Sequence, residues 1–132
     1  MASIDVVSAC FKKDNYFLIA LRDFNHPASD VWEFPGGKVD ANETHEQALI
    51  RELKEELDVD IKVNELIWKD QITYSDATYT IHLYACDLLS NNFKLNAHIE
   101  VIWKKLNDIA KLKNVLPSMP HMCAALKEKY NF

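Results

Sequence analysis

The 132-residue sequence is poor in glycine: it contains only Gly36 and Gly37, where an average composition would supply about nine. Glycine allows the backbone to adopt a positive φ or to approach another group closely, so its confinement to one point marks that point as special. The sequence also lacks an apolar run near the roughly 18 to 20 residues that span a bilayer. It begins without the basic and apolar segments of a secretory signal. These absences predict a cytoplasmic chain that makes no contact with a membrane.

Cysteine is scarce as well. The three cysteines are far apart, odd in number and without a CxxC pair: Cys10, Cys86 and Cys123. This spacing does not favour a disulfide framework or a zinc site. We predict three buried thiols in a reducing compartment.

The remaining composition is that of a globular protein, with 48% hydrophobic and 27% charged residues. No repeat, low-complexity tract or linker interrupts it, and we predict a single domain over residues 1–132. A net charge of −5 argues against a nucleic-acid polymer as partner, because such proteins normally carry a basic face. We expect a monomer or a homodimer.

Hydrophobic alternation and turn residues predict strands at 4–11, 16–22, 31–34, 59–63, 66–74, 79–88 and 99–105. The segment 23–30 is rich in turn residues and is predicted to be a loop. Helices are predicted from Thr44 to Leu57, near 107–111 and over 118–130. The order predicts an α/β fold with a mixed sheet between helices.

The first helix carries an unusual group of carboxylates. Thr44 and Gln47 form a capping-box pattern at its start. At 100° per residue, an apolar stripe contains Leu49, Ile50, Leu53 and Leu57, and an adjacent face contains Glu52, Glu55 and Glu56.

Like charges three or four residues apart destabilise a helix by about 0.2 to 0.5 kcal/mol per pair, so the three glutamates call for a compensating cation. Clustered carboxylate oxygens suit Mg²⁺ or Mn²⁺ better than zinc. The alternative is a solvated acidic helix face. The solvated-face alternative is less favoured here because the glycine pair lies just upstream of the same helix.

Residues 37–59 contain a set of glycine, acidic, basic and apolar residues at fixed spacing: Gly37, Glu43, Arg51, Glu52, Leu53, Glu55, Glu56 and Val59. This set resembles the Nudix box, the signature of the Nudix hydrolase superfamily. Asp58 stands where the box usually has glycine, and an αL position tolerates Asp better than most residues. The segment 31–39 is similar to the strand and loop of the MutT-like branch, the nucleoside triphosphate pyrophosphohydrolases, and the likeness extends over nearly the whole chain.

The resemblance implies a Nudix-type α/β/α sandwich and a metal site for Mg²⁺, with Mn²⁺ possible. It assigns Glu52 as a candidate base that also holds a metal-bound water or a second ion. Glu43 and Arg51 are interpreted as a structural salt bridge between the loop and the helix. The implied metal ligands are the Gly37 carbonyl and the carboxylates of Glu52, Glu55 and Glu56.

The same resemblance suggests substrate contacts. Arg22 lies where the branch places a phosphate-contacting arginine, and Lys38 is a second candidate for phosphate neutralisation. Trp32 and Phe34 are interpreted as facing in different directions, with Phe34 towards the base and Trp32 in the core.

Two departures from the branch bear on the site. Ala97 stands where the branch usually has a glutamate ligand; Glu100 is a substitute ligand only if the loop is rearranged, and His98 is interpreted as a solvated loop histidine. Ser118 aligns with an asparagine that reads oxidised guanine, and its alternative role is the N-cap of the last helix.

The implied activity is Mg²⁺-dependent hydrolysis of nucleoside triphosphates, including CTP-like or oxidised ones such as 8-oxo-dGTP, to monophosphate and pyrophosphate. Hydrolysis of ADP-sugars or dinucleoside polyphosphates is a second hypothesis. A nucleotide-binding module with weak or no catalysis is a third, and the complete set of box glutamates argues against it.

Overall fold

A computed structural model describes residues 2–22, 30–75 and 77–132. The predicted loop 23–30 lies outside the described residues except for Asp30. The elements, in chain order, are β1 (Ala2–Lys13), β2 (Tyr16–Arg22), β3 (Val31–Glu33), β4 (Gly36–Lys38), α1 (His45–Leu57), β5 (Ile61–Tyr74), β6 (Ala77–Leu88), β7 (His98–Lys105), α2 (Leu106–Ile109) and α3 (Met119–Tyr130).

The strands form one mixed sheet, as predicted, in the order β3-β2-β1-β6-β5, with β4 paired to β1 and β7 paired to β2. Strand β1 is parallel to β6 and antiparallel to β2 and β4. Strands β1 and β2 form one antiparallel hairpin, and β5 and β6 form another. Asp14, in the first turn, has a positive φ of 58°, which Asp tolerates well.

Helices cover both faces of the sheet, and the predicted α/β/α sandwich is confirmed. On one face the leucine stripe of α1 packs against β1 residues such as Val7 and Phe11. On the other face α2 and α3 pack against β2 through residues such as Phe17, Met122 and Leu126. No helix among the described residues combines the length and the hydropathy needed to cross a membrane.

All three cysteines are free and buried, as the sequence predicts. Burial raises the pKa of the Cys86 thiol to about 12 and that of Cys123 to about 11, and raises that of Cys10 further. These thiols therefore behave as small apolar core groups.

Three expectations about local structure were wrong. The predicted strands 59–63 and 66–74 are one strand, β5. Its register against β6 shifts between Val63 and Trp68, and the hydrophobic alternation is interrupted there, which is why the sequence predicted two strands. The glycine pair follows the predicted strand 31–34, in the part of 31–39 that was compared with a loop, but it forms β4 on β1. Ile50 was predicted to lie in the buried stripe of α1, but it is 44% exposed. The helix face that contacts the sheet is narrower than the apolar face predicted from the sequence, and Ile50 lies outside it.

Helix α1 begins and ends as predicted. The Thr44 side chain accepts a hydrogen bond from the Gln47 amide, and the Gln47 side chain accepts one from the Thr44 amide. At the other end Asp58 adopts the αL conformation, with φ of 54°, and donates its amide to Lys54 O. Asp therefore supplies the conformation that glycine usually supplies at this position.

Candidate active site

The two glycines bring β4 close to its neighbours. A Cβ on Gly36 would overlap the backbone carbonyl oxygen of Val7, and a Cβ on Gly37 would lie 2.6 Å from Oε1 of Glu52. Neither glycine has a positive φ. Glycine is therefore needed at both positions because a side chain would not fit. Gly36 permits pairing with β1, and Gly37 lets the Glu52 carboxylate lie against its backbone.

The three glutamates of α1 differ in their surroundings. The Glu55 side chain is 60% exposed, that of Glu52 is 15% exposed and that of Glu56 is 9% exposed. One oxygen of Glu56, Oε1, is buried without a hydrogen-bond partner among the described residues. Burial raises the pKa of Glu56 to about 7, although Arg22 acts in the opposite direction. An unpartnered buried carboxylate oxygen is suited to a cation.

Arg22, at the end of β2, bridges two carboxylates. Its Nε donates to Glu33 Oε2 and its Nη2 donates to Glu56 Oε2, both at 2.7 Å. Burial by itself would lower the pKa of this guanidinium, but Glu33 and Glu56 raise it. Arg22 therefore lies beside the α1 carboxylates, with these donors directed at Glu33 and Glu56.

Glu33 and His98 belong to this site and were missed by sequence reasoning. His98 Nε2 lies 2.8 Å from Glu33 Oε2, and one ligand atom each from Glu33, Glu56 and His98 falls within 4.8 Å of the others. His98 is 6% exposed, so its interpretation as a solvated loop residue was wrong. The sequence contained one sign that Glu33 belongs to the site: it is a charged residue between two aromatic residues, Trp32 and Phe34.

A β-bulge explains why His98, and not Glu100, reaches the site. In the β2–β7 ladder Leu21 pairs with Glu100, whereas the next residue, Arg22, pairs with His98. Adjacent strand residues point to opposite faces, so this irregularity places His98 on the Arg22 side and Glu100 on the other. Glu100 is exposed and is not part of the cluster.

The loop before β7 is attached to the end of α1. The Asn96 backbone amide donates to Glu56 O, and its side-chain amide donates to Glu55 O, both at 3.0 Å. These bonds satisfy carbonyls left free at a helix end. They also set the position of His98, two residues later, relative to the glutamates.

The ion pair expected between Glu43 and Arg51 is present in bidentate form. Arg51 Nε donates to Glu43 Oε2 at 2.7 Å and Nη2 donates to Oε1 at 2.9 Å. Arg51 also donates to the Lys38 carbonyl and to Glu52. The Arg51 hydrogen bonds, with the Asp40 amide, lower the pKa of Glu43 to about 2. This network joins the loop after β4 to α1 and positions Glu52.

A cleft of about 300 Å³ opens beside these residues, on the sheet face covered by α3. Trp32 and Phe34 both line it, so the expectation that they face in different directions was wrong. Residues two apart on a strand share a face. Lys38 is exposed at the rim. The other walls include Ile81, Leu116, Met119 and Met122.

Ser118 also lines the cleft and is 6% exposed. It stands at the N-cap position of α3, but its backbone is helical and its side chain makes no capping hydrogen bond. The capping interpretation of the hydroxyl was therefore wrong, because a side-chain cap normally requires an extended backbone at that residue.

The donor set fits a hard divalent cation. It consists of carboxylate oxygens on one helix face, one of them buried and unpartnered, beside the backbone of Gly37. Oxygen ligands of this kind are those that Mg²⁺ prefers. His98 adds a nitrogen donor at the edge of the set.

Comparisons with known proteins agree with this geometry. A family model described as the NUDIX domain matches residues 2–126. The CTP pyrophosphohydrolase of Escherichia coli (strain K12) is 32% identical over 103 residues, which are 78% of this chain and 76% of that protein.

Among solved structures, the E. coli ORF135 protein has a TM-score of 0.86 and 26% identity, covering 98% of this chain and 92% of its own. The DNA mismatch repair protein MutT of methicillin-resistant Staphylococcus aureus 252 has a TM-score of 0.73 and 33% identity, covering 97% of this chain and 99% of its own.

The fold, the carboxylate-bearing helix and these relatives define a hydrolase that acts on phosphoric anhydride bonds. The chain belongs to the Nudix family, and its sequence and structure are similar to those of the MutT-like branch. Nudix hydrolases act on nucleotide substrates.

Proposed function

We propose that this protein hydrolyses nucleoside triphosphates to nucleoside monophosphate and pyrophosphate with Mg²⁺, or alternatively Mn²⁺, as cofactor. The observation that carries the proposal is the buried, unpartnered Oε1 of Glu56 beside a cleft of about 300 Å³. The name of the relative from E. coli, CTP pyrophosphohydrolase, supports the reaction type. Modified nucleotides such as 8-oxo-dGTP are included in the proposed range.

The metal would be held by the Gly37 carbonyl and by Glu52, Glu55 and Glu56. When bound, such a cation neutralises phosphate oxygens and acidifies a coordinated water. Glu52 is proposed as the base, since its carboxylate lies against Gly37 and is oriented by Arg51. Glu100 is not proposed as a ligand, because it lies on the other face of β7.

The cleft has an apolar wall, proposed to contact the base, and a charged wall, proposed to contact the phosphates. Phe34, Trp32 and Met119 provide flat or polarisable surfaces against which a base can pack. Arg22 and Lys38 are proposed to contact the phosphates. Arg22 would turn its Nη2 donor from Glu56 towards a phosphate oxygen, and a bound cation would supply the positive charge beside Glu56 in its place.

We further propose that residues 1–132 act as one domain, as a monomer or a homodimer, in the cytoplasm and without a nucleic-acid polymer as partner. The charge of −5 and the three buried free thiols support these proposals.

Hydrolysis in oxygen-18 water tests the reaction. We expect Mg²⁺-dependent release of pyrophosphate from CTP or 8-oxo-dGTP, with one labelled oxygen in the monophosphate or the pyrophosphate and no orthophosphate. Labelled orthophosphate as the sole labelled product would contradict the proposal. A panel that adds ADP-ribose and a dinucleoside polyphosphate tests the second hypothesis. Binding without turnover of any compound would identify a binding module.

The Ser118 side chain is expected to influence base preference. Its hydroxyl offers one donor, whereas an asparagine amide offers a donor and an acceptor together. Ser118→Asn should therefore shift kcat/KM towards 8-oxo-dGTP relative to CTP, with about a tenfold change in the ratio for one added hydrogen bond. Ser118→Ala is the matched control. An unchanged ratio in both variants would show that Ser118 does not contact the base.

A further inference from the structure

Two histidines and an aspartate meet on the sheet face opposite the cleft. Asp5 lies on β1, His82 on β6 and His45 on the first turn of α1. One potential ligand atom from each residue falls within 4.8 Å of the others. The rings of His45 and His82 have centroids 4.3 Å apart. This cluster, the Asp5–His45–His82 cluster, has no part in the proposed hydrolysis.

Strand alternation separates the cluster from the cleft. Val6 and Ile81, which pair with each other in the β1–β6 ladder, line the cleft. Their neighbours Asp5 and His82 therefore point to the α1 face. A ligand bound at the cluster and a nucleotide in the cleft lie on opposite sides of the sheet.

The hydrogen bonds of the two imidazoles are those of metal-binding histidines. His82 Nδ1 lies 3.1 Å from the carbonyl oxygen of Val6, and His45 Nδ1 lies 2.7 Å from the Tyr84 hydroxyl. A histidine that ligates a metal usually donates its other ring N–H to such an oxygen. His82 Nδ1 must donate to the carbonyl oxygen, which leaves the lone pair of its neutral ring on Nε2. His45 likewise offers Nε2 in the tautomer whose Nδ1–H donates to the Tyr84 hydroxyl.

We propose that the Asp5–His45–His82 cluster is a second metal site, for a divalent transition metal such as Zn²⁺. Two imidazoles and one carboxylate suit zinc, whereas the all-oxygen set on α1 suits magnesium. A tetrahedral zinc ion holds its ligand atoms about 3.3 Å apart, which is within the 4.8 Å limit that the three ligand atoms satisfy, and Asp5 is exposed, so its side chain has room to adjust. A water completes the coordination.

The charges around the cluster modulate its affinity. Asp5 supplies a negative charge, whereas the N-terminus of α1 and Lys69, which pairs with His82 across β5–β6, are positive. Burial and the neighbouring His82 lower the pKa of His45, which keeps its ring neutral and able to ligate at neutral pH. Bound zinc joins β1, β6 and α1 and so stabilises the helix that carries the catalytic glutamates.

Zinc titration by calorimetry tests the proposal. The titration is made in excess Mg²⁺ and in a Glu56→Gln background, which weakens metal binding in the cleft. We expect one zinc ion per chain, and imidazole NMR shifts at His45 and His82. Asp5→Asn and His45→Gln should each weaken zinc binding at least about tenfold, and Tyr84→Phe, which removes the hydrogen bond to His45, by about tenfold. Lys69→Gln should strengthen it about two- to fivefold.

His121→Ala is the matched control, since His121 is an exposed histidine of α3 that stacks on Trp68 on the opposite face of the sheet. It should leave zinc affinity unchanged. Asp5 is exposed, so we expect the Asp5→Asn variant to keep the fold. Far-UV circular dichroism tests this expectation. Zinc affinity within twofold of the parent in both Asp5→Asn and His45→Gln would overturn the proposal. Loss of zinc binding only on His98→Ala would overturn it also, by assigning the ion to the cleft.

Discussion

Glu56→Gln is expected to abolish hydrolysis and, without metal, to raise the melting temperature at pH 8. Activity is lost because the buried carboxylate oxygen assigned to the metal is replaced. Stability rises because burial raises the pKa of Glu56 from 4.5 to about 7, so its ionisation costs folding free energy at pH 8. The stabilising effect of the raised pKa is complete below about pH 4.5 and is lost as the pH rises through 7. Glutamine resembles the protonated form, so the gain should be small at pH 5.

Glu55→Gln is the matched control for the stability effect. Glu55 is proposed to bind the same ion, so activity should fall, but its side chain is 60% exposed. Its melting temperature should change little at either pH, since exposed substitutions usually alter stability by less than about 0.5 kcal/mol.

Melting curves in EDTA at pH 5 and 8, with turnover at saturating Mg²⁺, measure both effects. Added Mg²⁺ should stabilise the wild type by mass action and both variants much less. A variant that retains half or more of wild-type turnover would refute the assignment of its glutamate as a ligand.

Alanine at the two adjacent glycines is expected to separate folding from catalysis. At Gly36 a Cβ meets the backbone carbonyl of Val7, which cannot move without disturbing the β1–β4 pairing. Overpacking of this kind costs about 1–3 kcal/mol or more. At Gly37 a Cβ meets the carboxylate of Glu52, the far end of a flexible side chain. Gly37→Ala should therefore fold, with Glu52 displaced and turnover reduced roughly 100-fold.

Urea unfolding and steady-state kinetics distinguish the two outcomes. Gly36→Ala should shift the unfolding midpoint to lower urea, whereas Gly37→Ala should leave it within about 0.5 kcal/mol of the wild type in free energy. Wild-type turnover in Gly37→Ala would show that the position of Glu52 against Gly37 has no role in catalysis. Equal destabilisation in both variants would contradict the difference in their surroundings.

Local rules determined much of the molecule from the sequence. The Thr44 capping box, the αL end at Asp58 and both hairpins depend on residues a few positions apart, and each is present in the structure. The box motif on α1 indicated the enzyme family because its spacing repeats a known pattern. The Glu43–Arg51 ion pair could also be predicted from the sequence, because the two residues lie eight positions apart in a loop and the helix that directly follows it.

Only the tertiary structure placed Glu33, His98 and the Asp5–His45–His82 cluster, because each depends on pairing between distant strands. One irregular register step between β2 and β7 exchanges His98 for Glu100 at the site. Such a step leaves no periodic signal, since one inserted residue reverses every side chain beyond it. The sequence by itself determined the helix, its carboxylates and the class of reaction. Strand register decided which side chains surround those carboxylates and which histidines meet on the opposite face.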